Sequence, residues 1–285
     1  MKKLIVATDL SDRSDYAIER AAMLARSYNC PWAIVHLVDE DTPKRLIDRN
    51  IDDARELLQS RVESLAVIAG TEPELIIEAG QIEEGINNIA HKINADLLVL
   101  GIPRKGFLRE IFVGTTAERI IRSTRMPVLQ VINNKNEDYK KVMIAADMSQ
   151  NCANAIKSSI ELGLFENAEV HAVYVFEDYA KGELLSAAEM GIATAIQQES
   201  KEKAREELQE FLKSNQLELP DAQVHVEEGF SVVTLCDIAK KINPDLMILG
   251  THGRTGLKKL MLGSVAETML AEVDRDMLCI PMPNK

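Results

Sequence analysis

The sequence predicts an α/β protein made of two tandem, doubly wound parallel sheets of five strands each, within a chain of 285 residues. Three observations carry that prediction. The chain repeats itself once along its length. Within each copy, short aliphatic runs alternate with segments of helical period. The runs are apolar along nearly their whole length, the mark of strands covered on both faces.

The repeat shows at three places in register. Lys2–Ser11 (KKLIVATDLS) echoes Lys140–Ser149 (KKVMIAADMS), and Lys92–Gly101 (KINADLLVLG) echoes Lys241–Gly250 (KINPDLMILG). Gly114-Thr115-Thr116-Ala117-Glu118 echoes Gly263-Ser264-Val265-Ala266-Glu267. Order and spacing agree, apart from an insertion in the middle of the second copy, so the chain divides into domains at 1–134 and 138–285. The polar stretch Asn133–Asp138 reads as the linker.

In the first copy the strands read as Leu4–Ala7, Trp32–Val38, Leu75–Glu78, Leu97–Leu100 and Val128–Val131. Their counterparts are Val142–Ala145, Val170–Phe176, Gln223–Glu227, Leu246–Leu249 and Met277–Ile280. Helical period fills the gaps, as in Asp15–Arg26, Ile51–Val67 and Gly85–Ile93. Strand, helix, strand in repetition gives a parallel sheet with right-handed crossovers. A long helix is expected from about Ala187 to Asn215, with Ile192, Ile196, Ala204, Leu208, Phe211 and Leu212 facing the core. Its charged run Glu199–Glu207 reads as a solvated face. The apolar patch Met190–Ala193 reads as packing on the sheet, with a lid or partner surface as the alternative.

Composition narrows the function. A formal net charge of −12 opposes non-specific binding to nucleic acid or to an anionic membrane. No apolar run approaches the roughly 20 residues of a membrane span. The N-terminus lacks the pattern of a secretory signal. Cys30, Cys152, Cys236 and Cys279 lie far apart with no CxxC spacing, as expected of reduced, packed thiols. Together these predict a cytoplasmic protein.

The second copy carries the candidate site. Gly250-Thr251-His252-Gly253 follows a buried strand, and nine residues later Gly263-Ser264 opens a helix at Val265. A helix start leaves amides unpaired and carries partial positive charge, which phosphate oxygens satisfy. Glycine at 263 lets phosphate come close to the backbone. Asp147 ends the first strand of this copy. In a doubly wound sheet, ligands sit beyond the carboxyl ends of strands where the strand order reverses. One acid and one phosphate cradle are therefore expected to face one crevice. The five histidines show no metal-ligand spacing, so His252 reads as a loop residue. Lys258 and Lys259 read as a solvated face, and Arg254 as a phosphate or loop contact.

Gly-x-x-Gly, nine residues, Gly-Ser resembles the nucleotide signature of ATP-binding universal stress proteins, and Asp147-Met148-Ser149 resembles that family's first strand end. The resemblance extends over nearly the whole chain, twice. It implies the adenine nucleotide alpha hydrolase-like fold with strand order 3-2-1-4-5 in each half. It also implies ATP in the crevice, with Mg²⁺ held mainly by phosphate. On this carry-over Asp147 lies by the adenosine, Val175 offers backbone to adenine and Gly250 lies by ribose. Gly253, Gly263, Ser264 and Val265 hold phosphates. The last strand is expected at the sheet edge, pairing the two copies as an intrachain pseudo-dimer; homodimerisation is left open.

The first copy departs from this pattern. Its segment is Gly101-Ile102-Pro103-Arg104, nine residues, Gly114-Thr115, so Arg104 replaces the second glycine and Pro103 removes a donor. Asp9, Gly114 and Thr115 remain. Weak or no ATP binding is expected there. Walker A, SGGxDS and HxGH motifs are absent, and no carboxylate–histidine constellation marks turnover. The expected function is an ATP-binding stress or regulatory protein acting as a ligand-dependent sensor. The alternatives are a slow ATPase and a scaffold for lipid or another small ligand.

Overall fold

The computed structural model describes residues 1–101, 115–132, 137–176, 187–251 and 262–282, with the backbone alone at 13 and over 187–195. The first half runs β1 (Leu4–Ala7), α1 (Asp12–Ser27), β2 (Trp32–Asp39), α2 (Lys44–Ala69), β3 (Glu74–Gly80), α3 (Ile82–Lys92), β4 (Leu97–Gly101), α4 (Thr116–Ser123) and β5 (Val128–Val131). The second runs β6 (Lys141–Ala146), α5 (Gln150–Glu161), β7 (Glu169–Phe176), α6 (Ala187–Ser214), β8 (Val224–Glu228), α7 (Ser231–Ile242), β9 (Leu246–Gly250), α8 (Ser264–Glu272) and β10 (Asp276–Ile280). A single turn of 3₁₀ helix, Asp221–Gln223, leads into β8.

The order β3-β2-β1-β4-β5 in the first half is mirrored by β10-β9-β6-β7-β8 in the second. Each half thus has the order 3-2-1-4-5. The two five-stranded sheets are present, but they are continuous with each other. β5 and β10 pair antiparallel, Leu129 opposite Leu278, so the halves fuse into one ten-stranded sheet. Two outer strands with unpaired backbone groups satisfy each other instead of solvent.

The sheet is covered on both faces, which is why its strands are apolar throughout. Leu4, Val6, Val142 and Ile144 pack on one face with α1, α2, α5 and α6. Ile5, Met143, Met247 and Cys279 pack on the other with α3, α4, α7 and α8. The faces change between β6 and β9 and between β1 and β4, so a crevice opens at those two pairs of strand ends.

The first strand of each half ends in the same turn. Leu10 (φ 63°) and Met148 (φ 56°) take the left-handed conformation, unusual for side chains of this kind. The preceding aspartate holds each turn. Asp9 Oδ1 accepts from the Ser11 amide at 3.0 Å, and Asp147 Oδ1 accepts from the Ser149 amide at 3.0 Å. Ser11 and Ser149 then cap α1 and α5 by accepting from the Ser14 and Cys152 amides.

A buried ionic cluster locks the seam. Asp276 stands where the first copy has Pro127. Its Oδ1 accepts from the Ile132 amide at 2.9 Å and its Oδ2 from the Tyr139 hydroxyl at 2.8 Å. Arg20 of α1 places Nε 3.6 Å from Oδ2, donates through Nη1 to the Glu137 carbonyl at 2.7 Å and lies over the Tyr139 ring at 4.7 Å. Arg20 and Asp276 are only 4% and 3% exposed. Burial first, and then the Asp276 charge, push the Tyr139 phenol well above its usual value. Asp276 thereby grips the connection between the halves at both of its ends. Nearby, Tyr28 donates to the Gly163 carbonyl at 3.0 Å. Gly163 (φ 80°) has to be glycine, since a Cβ would meet the Tyr28 ring at 2.8 Å.

In α6, Leu208 and Leu212 are fully buried, and Ala204 and Phe211 pack beside them, as expected. Ile196 is half exposed, against expectation. Twelve residues separate it from Leu208, which at about 100° per residue puts it about a third of a turn off the buried stripe. The side chains of Met190–Ala193 lie outside the described residues. At the far edge of the same half, His171 Nδ1 and His225 Nε2 meet at 2.9 Å between β7 and β8, and Glu169 Oε1 lies 3.1 Å from His171 Nε2.

Candidate functional site

Of the residues the sequence singles out, the fold brings Asp147, Val175, Gly250, Gly263, Ser264 and Val265 to the carboxyl end of the second half-sheet. Gly253 lies outside the described residues, as do His252, Arg254, Lys258 and Lys259. Asp147 follows β6, and Gly250 is the last residue of the neighbouring β9. Asp147 also holds the strand-end turn, a structural job the sequence reading did not assign to it.

Val175 is the penultimate residue of β7 and is half-buried. The next carbonyl, Phe176, accepts from Gly229 on the β8 side at 3.0 Å. Backbone groups alternate sides along a strand, so the Val175 carbonyl faces β6. The last β6–β7 pair is Ala146 with Tyr174, so that carbonyl lies beyond the end of the pairing, at the crevice.

The helix start is the chemically distinctive part. Gly263 is the N-cap of α8, and its own amide donates to the Thr251 carbonyl at 2.7 Å. Thr251 in turn donates to the Ile280 carbonyl at 2.9 Å. These bonds pin the start of α8 against the end of β9, although the residues between lie outside the described set. Gly263 has φ −63° and ψ 145°, which any residue adopts. Conformation does not require glycine there. Its consequence is that no side chain caps the helix. The Glu267 amide closes the first turn onto the Gly263 carbonyl at 2.9 Å. Ahead of it, the amides of Ser264, Val265 and Ala266 make no backbone hydrogen bond among the described residues. Ser264 is exposed, and Gly263 and Val265 are half-exposed. A helix start with three first-turn amides lacking a backbone partner among the described residues carries the features of an anion-binding site, although Ala266 itself is buried.

The first half builds the equivalent place differently. Its helix α4 begins one position later in the aligned repeat, with Thr115 as N-cap. The Thr115 hydroxyl accepts from the Glu118 amide at 3.2 Å, and the Thr115 carbonyl from Arg119 at 3.0 Å. Gly114 and the Pro103-Arg104 departure lie outside the described residues. At β1, Asp9 is exposed. Burial tends to raise its pKa, but hydrogen bonds from the Ser11 hydroxyl and amide outweigh that and leave it lowered.

The family model for the universal stress protein family matches residues 1–131 and 138–281. The chain belongs to the universal stress protein family. Universal stress protein E homolog of Haemophilus influenzae is 21% identical, aligned over 100% of this chain and 98% of its own length. A universal stress protein of Methanocaldococcus jannaschii is 31% identical over 157 residues, which cover 54% of this chain and 89% of that protein. The crystal structure of a universal stress protein from Archaeoglobus fulgidus superposes with a TM-score of 0.74 at 18% identity, covering 98% of each chain, and so shares the tandem fold.

No helix among the described residues is long and apolar enough to cross a membrane. All four cysteines are free. Burial pushes the Cys152 thiol up to about 11 and Cys279 to about 12. Among the described residues, no group of three or more His, Cys, Asp or Glu is placed to hold a metal ion.

Proposed function

We propose that this universal stress protein binds adenine nucleotide in its C-terminal half and acts as a ligand-dependent sensor in the stress response. The observation that carries this reading is the uncapped start of α8, where three first-turn amides have no backbone partner among the described residues, next to the end of β9. A triphosphate supplies the acceptors those amides need. Ser264 adds a hydroxyl donor. The Val175 carbonyl accepts from the amino group of adenine, and Asp147 accepts from the nucleoside. Gly250 and Gly253 let the backbone pass close to ribose and phosphate. Mg²⁺ is held mainly by the phosphates.

The test is native mass spectrometry of the full chain as purified, followed by ATP titration of wild type and Gly263→Val. A β-branched side chain at 263 crowds the cradle while its backbone conformation stays ordinary. The expected loss is about tenfold or more in affinity, the worth of one or two charge-assisted hydrogen bonds. Wild type that carries no nucleotide and takes up none at millimolar ATP ends this reading. Product analysis after incubation with Mg-ATP separates a sensor, which leaves ATP intact, from a slow ATPase.

A further inference from the structure

One side chain joins the first turns of the two cradle helices. Arg122, in the last turn of α4, places Nη2 2.5 Å from Glu118 Oε1 and 3.4 Å from Glu267 Oε2. Glu118 is almost fully buried, while Arg122 and Glu267 are about one-third exposed. The repeat aligns Glu118 with Glu267 and therefore Arg122 with Ala271. Helix α4 supplies its own i,i+4 cation to its first-turn carboxylate. Helix α8 has alanine at that place, and among the described residues the cation that reaches Glu267 comes from the other half of the molecule.

The position of Glu267 gives this contact a consequence. It lies in the first turn of α8, the turn whose leading amides are open. A carboxylate there suits the helix dipole. It also sets a negative charge beside any polyanion brought to those amides. We propose that Arg122 is a positioning residue for the C-terminal phosphate cradle: it neutralises Glu267 and ties the first turn of α8 to α4. This rests on the nucleotide reading above. It assigns a task to the N-terminal repeat, whose own signature departs from the family's: it completes the charge balance of its neighbour's site.

The experiment titrates the full chain with ATP, ADP and adenosine at low and high salt. Arg122→Gln is expected to weaken ATP about threefold to fivefold, the usual worth of a charge at a helix terminus. ADP loses less and adenosine nothing, because the penalty follows phosphate charge. Arg122→Lys restores most of the loss, and high salt narrows the gap. The deciding variant is Arg122→Gln with Glu267→Gln, which recovers wild-type ATP affinity because the uncompensated charge is gone. Arg122→Gln also removes the ion pair to buried Glu118, so Arg122→Gln with Glu118→Gln serves as the control: it is expected to keep the ATP loss of about threefold to fivefold, because Glu267 is still uncompensated. Equal weakening of adenosine and ATP, or no recovery on removing Glu267, overturns the proposal and leaves nucleotide binding standing. Wild type that binds no ATP overturns both.

Discussion

At the end of its first strand each half of the molecule does the same thing with the same residues. Asp9 and Asp147 each hold a left-handed turn, and Ser11 and Ser149 each cap the helix that follows. At the start of its last helix each half does something different. Thr115 uses its hydroxyl on the Glu118 amide, whereas Gly263 has none to offer, and the first three amides of α8 have no backbone partner among the described residues. A shared fold therefore does not make a shared site. Among the described residues, the Thr115 cap satisfies one first-turn amide of α4 that has no counterpart bond in α8. The turn residues, aspartate included, serve the fold in both halves alike.

The comparison is broken most easily at the cradle itself. Gly263→Val is expected to cost about tenfold or more in ATP affinity, while Gly114→Val leaves the affinity of the whole chain unchanged. Isothermal titration of the two variants checks this, and equal losses would mean that both halves hold nucleotide. Asp147→Ala is expected to lose nucleotide as well, but it also removes the turn, so Gly263 is the cleaner probe.

The next largest effect lies at the seam. Asp276→Ala removes the carboxylate 3.6 Å from the buried Arg20 guanidinium and its bonds to Ile132 and Tyr139 at the two ends of the connection between halves. The expected destabilisation is about 3–5 kcal/mol by urea unfolding. Thr115→Ala removes the α4 cap and is expected to cost about 1 kcal/mol. Its counterpart Gly263→Ser adds a capping hydroxyl to α8. It is expected to gain only a few tenths of a kcal/mol in stability while weakening ATP, because the new hydroxyl competes for the same amides.

The smallest effect separates the halves by pH. Burial, and then the neighbouring His171, hold the His225 ring below its ordinary value. Its unfolded form takes up a proton first, so its share of stability is complete above about pH 6.5 and is lost as pH falls through that value. Asp9 in the other half has a lowered pKa, and its share is lost only near and below the ordinary carboxylate range, about pH 3.8. Hydrogen-exchange protection, corrected for the slower intrinsic exchange at lower pH, is expected to fall first at β7 and β8 between pH 7 and 5. His225→Gln should remove that loss of protection.

The legible parts of the sequence were those with a short-range physical cause. The repeat, the strands and the long α6 could be read because apolar period reports burial directly. Gly263 could be read as special because glycine ahead of a helix is a local signal. Ile196 was misread, since an apolar residue in a long helix is easily credited to the buried stripe when the stripe's phase is unknown. Asp276 gave no signal beyond standing where the first copy has proline; its partners Arg20, Ile132 and Tyr139 are distant along the chain. The double role of Asp147 stayed hidden for a related reason, because strand-end turn and ligand contact use the same carboxylate.

By itself, the sequence determined two copies of one α/β unit and an asymmetry between two helix starts, which follow from neighbours along the chain and from a pattern written twice. The strand order within each copy was implied by the family resemblance alone. Only the tertiary structure decided that the copies share one ten-stranded sheet, that Asp276 is the hub of their junction, and that Arg122 reaches across to Glu267. Those are contacts between residues more than a hundred positions apart, and their geometry exists only once β5 and β10 have paired.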